Sequence, residues 1–355
     1  MYILSIIVPV YNGEKYIKRI IRQIDLKNNP DIQLVMINDG SKDRSLVILK
    51  KYNLLYENLL IDSQPNKGIA ATRNRGLALA EGNYIVFMDQ DDKLNIAVLK
   101  HTLSKMIQSK ADFLMSNYST YDGSLHNCIA FKEQMCLTNE LLQKVYVNFL
   151  TTYIMGGPLP VGINYIPGSI WNCIFRKNFL INNEISFKKF VDYEDDFLFL
   201  IDCFSKAKMV STSSDIYYCW IVNRSSESHR KKYIFDYVKK REQLNQYLIM
   251  LIRQLGYTQK QSKKFLEYLH SITMLKGIRN ICANADSNTF REIYNELIDI
   301  YGICDYEINY HVGEGYLEKI ELFLVEKGFF NIVTKVILLH KKYIMIRTSR
   351  VFFAK

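Results

Sequence analysis

Four short apolar runs alternate with stretches of helical spacing up to Asp92, and each run gives way to a polar cluster. Residues 3–8 form the first run, closed by Pro9. Residues 14–24 then carry Ile17, Ile20, Ile21 and Ile24 at helical intervals. Residues 33–37, 58–61 and 84–88 read as further strands, and residues 44–56 and 69–80 as further helices. Strands separated by helices of this length predict an α/β chain with a mostly parallel sheet covered by helices on both faces. In open parallel sheets ligands bind in the crevice beyond the strand C-termini. Tyr11-Asn12, Asn38-Asp39-Gly40-Ser41, Asn66-Lys67-Gly68 and Asp89-Gln90-Asp91 follow the four strands. Together they are expected to face one crevice, as a nucleotide-type site requires.

Residues 112–116 and 215–220 are strand-like, and residues 196–204 are helical, with Phe197, Ile201 and Phe204 on one side. Beyond Lys231 the pattern is helical, with Ile234, Val238, Leu244, Leu248 and Leu251 facing one way. A boundary is therefore expected near 225–235. It separates a catalytic domain at 1–228, with halves 1–110 and 111–228, from a helical C-terminal region at 229–355. Residues 145–175 carry no charge, but glycines and prolines interrupt them too often for a membrane helix. The seven cysteines are odd in number and form no CxxC pair, which argues against a disulfide framework or a structural zinc site. Free thiols fit a reducing cytoplasm, and residues 1–10 read as a strand rather than a signal peptide.

The net charge is +10. Six cations, Lys335, Lys341, Lys342, Arg347, Arg350 and Lys355, lie in residues 329–355 with no acidic residue among them. A nucleic-acid binder would spread its charge over a face or groove, so no nucleic-acid partner is expected. A basic stretch interleaved with Phe, Ile, Val and Leu can instead pack on the domain with its basic face in solvent or, the favoured reading, lie on an anionic bilayer. That predicts a cytoplasmic protein, peripheral on the inner face of the membrane.

Asp89-Gln90-Asp91-Asp92 is the strongest chemical signal. Carboxylates two apart after a strand can point into a crevice together, and Mg²⁺ or Mn²⁺ wants such oxygen ligands while leaving positions for phosphate. A solvated acidic turn capping the next helix is the competing reading. Asp192-Tyr193-Glu194-Asp195-Asp196 opens a helix and holds more carboxylates than capping requires. Mutual repulsion and the helix terminus pull its proton affinities in opposite directions. One of these carboxylates could thus accept a proton from a hydroxyl near neutral pH. Arg73, one turn inside a helix, can reach phosphate or the acidic cluster, or can be a surface arginine.

In order and spacing, several motifs resemble the family 2 inverting glycosyltransferases of the GT-A fold. They are Ile6-Ile7-Val8-Pro9-Val10-Tyr11-Asn12, Asn38-Asp39-Gly40-Ser41, Asn66-Lys67-Gly68, Thr72-Arg73-Asn74-Arg75-Gly76 and Asp89-Gln90-Asp91-Asp92. Ser169-Ile170-Trp171-Asn172 and Tyr193-Glu194-Asp195-Asp196 look like the family's acceptor-side segments, so the resemblance covers roughly residues 1–225. It implies a base pocket of Pro9, Tyr11 and Glu14, with Asp39 accepting from the base and Asn66 in the donor site. Arg73 would lie near the diphosphate and Asp89 on the ribose or sugar side. Asp91, with Asp89, would hold Mn²⁺ or Mg²⁺, and His229 could add a contact or be a surface histidine. Asp195 would be the base with Glu194 beside it, and Trp171 part of the acceptor wall. The implied reaction moves one sugar from a UDP-sugar to a lipid-linked or cell-surface glycan, or to a protein or teichoic-acid acceptor.

Two departures stand out: Thr72 where the family often has Ala, and Cys219-Trp220 where many members carry Tyr-Arg. The QxxRW pattern of processive members is absent. A sugar nucleotidyltransferase would open with a Gly-rich loop after the first strand, a dinucleotide oxidoreductase would need GxGxxG there, and neither is present. A scaffold that had lost turnover would have little reason to carry Asp39, Asp89, Asp91 and Asp195 together.

Overall fold

The computed structural model describes residues 2–151, 159–188, 195–222 and 236–260, with isolated positions elsewhere up to Lys335. The chain divides into two compact units. The first comprises Met1–Leu150, Gly157–Lys189 and Tyr193–Ser225; the second comprises Thr151–Gly156, Phe190–Asp192 and Ser226–Lys355.

The first unit opens with β1 (Leu4–Val10), α1 (Glu14–Ile24), β2 (Ile32–Asp39), α2 (Ser45–Asn53), β3 (Leu59–Gln64), α3 (Ile69–Leu79) and β4 (Tyr84–Phe87). After β5 (Lys93–Leu94) come α4 (Ile96–Ser109), β6 (Phe113–Tyr121), β7 (Leu125–Cys128), β8 (Cys136–Thr138) and α5 (Asn139–Thr151). The unit ends with β9 (Cys173–Arg176), α6 (Lys177–Asn182), α7 (Asp195–Lys206) and β10 (Met209–Ile221). The described strands form one sheet in the order β3-β2-β1-β4-β9-β6-β10-β5, with β7 on β6 and β8 on β10.

The expected α/β architecture forms, with one difference. Through β3-β2-β1-β4 every pair is parallel. Beyond β4 the sheet is mixed, because β9 enters antiparallel to both β4 and β6. β10 runs parallel to β6 but antiparallel to β5 and β8.

Every residue of β1 and β2 is buried, as parallel strands covered on both faces must be. Ile6, Val8 and Val10 of β1 join a core with Ile17, Ile20, Ile21 and Ile24 of α1 and Leu99, Leu103 and Met106 of α4. Each such side chain contributes about 1.5–3 kcal/mol by leaving water. Ile7 serves the other face. A Cβ on Gly76 would lie 2.3 Å from the Ile7 Cγ2, so only glycine lets α3 sit this close to β1. An aromatic cluster fills the same layer further along, with Phe187 stacked on Phe199 at 4.2 Å and Phe87 edge-on to both.

In the second unit α8 (Tyr237–Gln254) buries Val238, Leu244, Leu248 and Leu251. Ile234 is buried just ahead of it, with backbone hydrogen bonds to the Asn280 side chain. Among the described residues no helix is long and apolar enough to cross a membrane.

Candidate active site

Hydrogen bonds knit together the loops beyond β1, β2, β3 and β4. The Asn12 N–H donates to the Ser41 hydroxyl, and the Asn12 side-chain oxygen accepts from the Lys42 N–H. The Glu14 N–H donates to Asp43, and the Glu14 carboxylate accepts from the Arg44 N–H. Asp39, buried at the end of β2, accepts from Gln64 and from the backbone N–H groups of Lys67 and Gly68. It thereby fixes the turn from which α3 starts. A carboxylate has about four acceptor positions, so one remains for a ligand.

Arg73 is the hub. It is buried one turn into α3, and its Nη2 donates to Asp89 at 3.0 Å, at the end of β4. Its Nη1 donates to Asp195 at 2.8 Å and to Asp196 at 2.5 Å, in the first turn of α7. The guanidinium also lies over the Phe187 ring, 5.4 Å from its centroid. The Asn74 side-chain amide holds Phe187 in register by donating to its carbonyl and accepting from its N–H. The Arg73-Asn74 pair thus has two tasks: one residue joins three carboxylates, and the other docks the segment leading to α7. Burial works against the Arg73 charge, but Asp196, Asp89 and Asp195 outweigh it and raise the guanidinium pKa. Burial, then Asp195 and Asp89, raise the Asp196 carboxyl above the usual carboxylate range, against the pull of Arg73.

The four residues of the acidic loop divide their work. Asp92 is fully buried; it accepts from the Tyr218 hydroxyl at 2.5 Å and from the Ile221 N–H at 2.7 Å, which ties the loop to β10. Burial, with Asp89 next, pushes its carboxyl up to about 8, against those hydrogen bonds. The Tyr218 hydroxyl also accepts from the Asp89 N–H. Asp89 keeps 33% of its side chain exposed, and Asp91 is half-buried. Trp171 stacks on Tyr218 at 4.5 Å and meets Tyr118 edge-on at 4.8 Å.

The same elements recur in known proteins. The family described as Glycosyl transferase family 2 matches residues 5–155. The chain is 25% identical to a cholesterol galactosyltransferase of Borreliella burgdorferi over 89% of its own length and 88% of the relative's. It is 27% identical to a poly(ribitol-phosphate) β-glucosyltransferase of Bacillus spizizenii over 65% of its length, a match spanning only 34% of that longer relative. The crystal structure of S. aureus TarS residues 1–349 in complex with UDP-GlcNAc superposes with a TM-score of 0.63 at 21% identity, over 96% of this chain and 92% of that one. Residues 5–155 thus match glycosyltransferase family 2, and the named relatives are glycosyltransferases.

Within this glycosyltransferase, the structure gathers Arg73, Asp89 and Asp195 directly. It links Tyr11 to the loop of Asp89 and Asp91 through Gln90. Pro9 is buried in β1, and Asn66 is exposed beside the turn that Asp39 holds. Glu14 spends its carboxylate on the α2 N-terminus, and Trp171, 8% exposed, lies mostly inside the core. Glu194 and His229 lie outside the described residues. Among the described residues no three metal-capable side chains cluster. Mn²⁺ or Mg²⁺ needs only one or two carboxylates plus phosphate oxygens and water, which suits a partly exposed Asp89 and Asp91. Sequence reasoning left Gln90, Tyr218 and Asp196 without roles. The only local signal was their position inside or beside recognised motifs, because their partners are remote in sequence.

Proposed function

We propose that the glycosyltransferase is metal-dependent and inverting, moving one sugar from a UDP-sugar to the hydroxyl of a lipid-linked or cell-surface glycan. The observation that carries this reading is the span of one guanidinium. Arg73 bonds both Asp89, at the donor end of β4, and Asp195, in the acidic first turn of α7. Both carboxylates are therefore held by one side chain, which supports a donor and an acceptor hydroxyl being brought together there.

In the proposed reaction Tyr11, Pro9 and Asp39 bind the uracil ring, and Arg73 orients the diphosphate. Asp89 and Asp91 would hold Mn²⁺ or Mg²⁺, which when bound neutralises charge on the departing nucleoside diphosphate. Asp195 takes the proton of the acceptor hydroxyl as that oxygen attacks the anomeric carbon. One C–O bond forms on the face opposite the breaking C–O bond to UDP, so the configuration inverts and no covalent enzyme intermediate forms. The acidic first turn of α7, with Asp195 and Asp196, supports a carboxylate in this role.

Two related proteins support a hydroxyl acceptor, since their names give cholesterol and poly(ribitol-phosphate) as substrates. The TarS structure was solved with UDP-GlcNAc, which supports a uridine donor. We further propose that the basic residues 329–355 bring the enzyme to an anionic membrane surface, where a lipid-linked acceptor would lie.

A panel of UDP-sugars with Mn²⁺, scored by hydrolysis and thermal shift, tests the donor. A response to GDP-mannose or a dTDP-sugar with none to any UDP-sugar overturns it. Asp195→Asn tests the base: transfer should fall by about 10²–10⁴, the usual contribution of general base catalysis, while UDP binding persists. Full transfer by that variant moves the base elsewhere.

A further inference from the structure

The β1–β4 ladder stops one step before the site. Tyr84 to Phe87 pair with Leu4 to Ile7, and the Met88 N–H still donates to the Ile7 carbonyl. In a parallel strand alternate residues turn their backbone groups to the same neighbour, so Pro9 faces β4 as Ile7 does. Pro9 has no N–H to give, and β4 is free to part from β1 while β1 and β2 stay paired to Val10 and Asn38. The next position facing β4 is Tyr11, and there the ladder resumes through a side chain. The Tyr11 N–H donates to the Gln90 Oε1 at 3.2 Å, and the Gln90 Nε2 donates to the Tyr11 carbonyl at 2.9 Å.

Gln90 is held from two other sides. Arg19 of α1 donates through Nη2 to the carbonyls of Gln90 and Asp92, on either side of Asp91. Gly13 leaves the space that the amide occupies, since a Cβ there would sit 2.1 Å from the Gln90 Oε1. One residue of the acidic loop therefore sets the backbone of the residue proposed to face the uracil. We infer that Gln90 is a positioning residue that clasps Tyr11 and ties the base end of the donor site to the loop of Asp89 and Asp91. This rests on the donor reading proposed above.

Two variants approach the clasp from opposite sides. Gln90→Met keeps the length and removes both hydrogen bonds. Gly13→Ala pushes the amide off from outside, at a position whose φ of −110° suits any residue. In both, the Kd for UDP and the KM for donor in hydrolysis should rise by about tenfold, the factor expected for one or two neutral hydrogen bonds. The kcat should stay within about threefold, because uniform binding is what is lost. Gln90→Glu, which can still accept the Tyr11 N–H, should fall between. A purely structural role would instead lower the melting temperature and kcat at unchanged KM, and that result overturns the inference. So does wild-type UDP affinity in both variants. Should Gln90→Met fail to fold, Gly13→Ala alone decides between these outcomes. Wild-type protein that binds no uridine nucleotide overturns the donor reading itself, and the clasp with it.

Discussion

Arg73 concentrates the electrostatics of the site in one side chain. It is buried, so its charge is tolerable only because three carboxylates answer it. Removing one partner of a buried ion network leaves the others uncompensated, which typically costs about 3–5 kcal/mol. Arg73→Met should therefore destabilise the protein by about that much in urea unfolding, with Asp89, Asp195 and Asp196 left to repel one another. Arg73→Lys should recover only part of this. A lysine presents one ammonium point, whereas the planar fork sends Nη1 to α7 and Nη2 to the end of β4. A Lys variant as stable as wild type would mean that charge alone, without the fork, holds these elements. The sequence marked Arg73 as a residue able to reach a carboxylate cluster. It could not say that Asp89 and Asp195 share the same guanidinium, because Asp195 lies 122 residues away.

At the scale of elements, local pattern and non-local pairing part company. The isoleucine spacing in α1 and the helix bounds 14–24 were readable because a helix declares its buried face within a few turns. The parallel direction of β1, β2, β3 and β4, though not their order in the sheet, followed from strand–helix alternation. The antiparallel insertion of β9 between β4 and β6 had no such signal. Cys173–Arg176 is a short apolar run with no alternation, and its place depends on partners far along the chain. The Gln90 clasp and the Tyr218 anchor join residues 79 and 129 apart for the same reason.

Asp215 shows what such a non-local link contributes. It accepts from Lys105 at 2.7 Å and from Thr102 at 2.9 Å, joining α4 to β10. Burial alone would raise its carboxyl, but the Lys105, Thr102 and Ser213 hydrogen bonds win and hold it below the usual carboxylate value. A pKa depressed by folding means stability that is present above the ordinary carboxylate range, about pH 4, and lost as pH falls through the folded value. Asp215→Asn should thus destabilise the protein near pH 7, by about 1–2 kcal/mol after allowing for partial exposure. The difference from wild type should shrink towards pH 3. A deficit that is constant across that range in chemical denaturation would assign the effect to packing instead.

Across the whole molecule the charge is unevenly held. Residues 329–355 carry six of the ten net positive charges, while the loop after β4 and the start of α7 are acidic. Most of that basic stretch lies outside the described residues. Each cation near an anionic bilayer is worth about 1 kcal/mol, and the interleaved Phe, Ile and Val residues can enter the interface. Replacing Lys335, Lys341, Lys342, Arg347, Arg350 and Lys355 together by Gln in the full chain should abolish flotation with anionic vesicles. High salt should weaken the wild-type binding in the same direction, since exposed charges are screened within about 8 Å at physiological ionic strength. Hydrolysis of a soluble donor should be unchanged, because the partners described for Arg73 are Asp89, Asp195 and Asp196. Equal recovery of both proteins in the floating fraction would remove the membrane from the proposal. The transferase would then have to meet its acceptor in solution, and the basic stretch would need another partner.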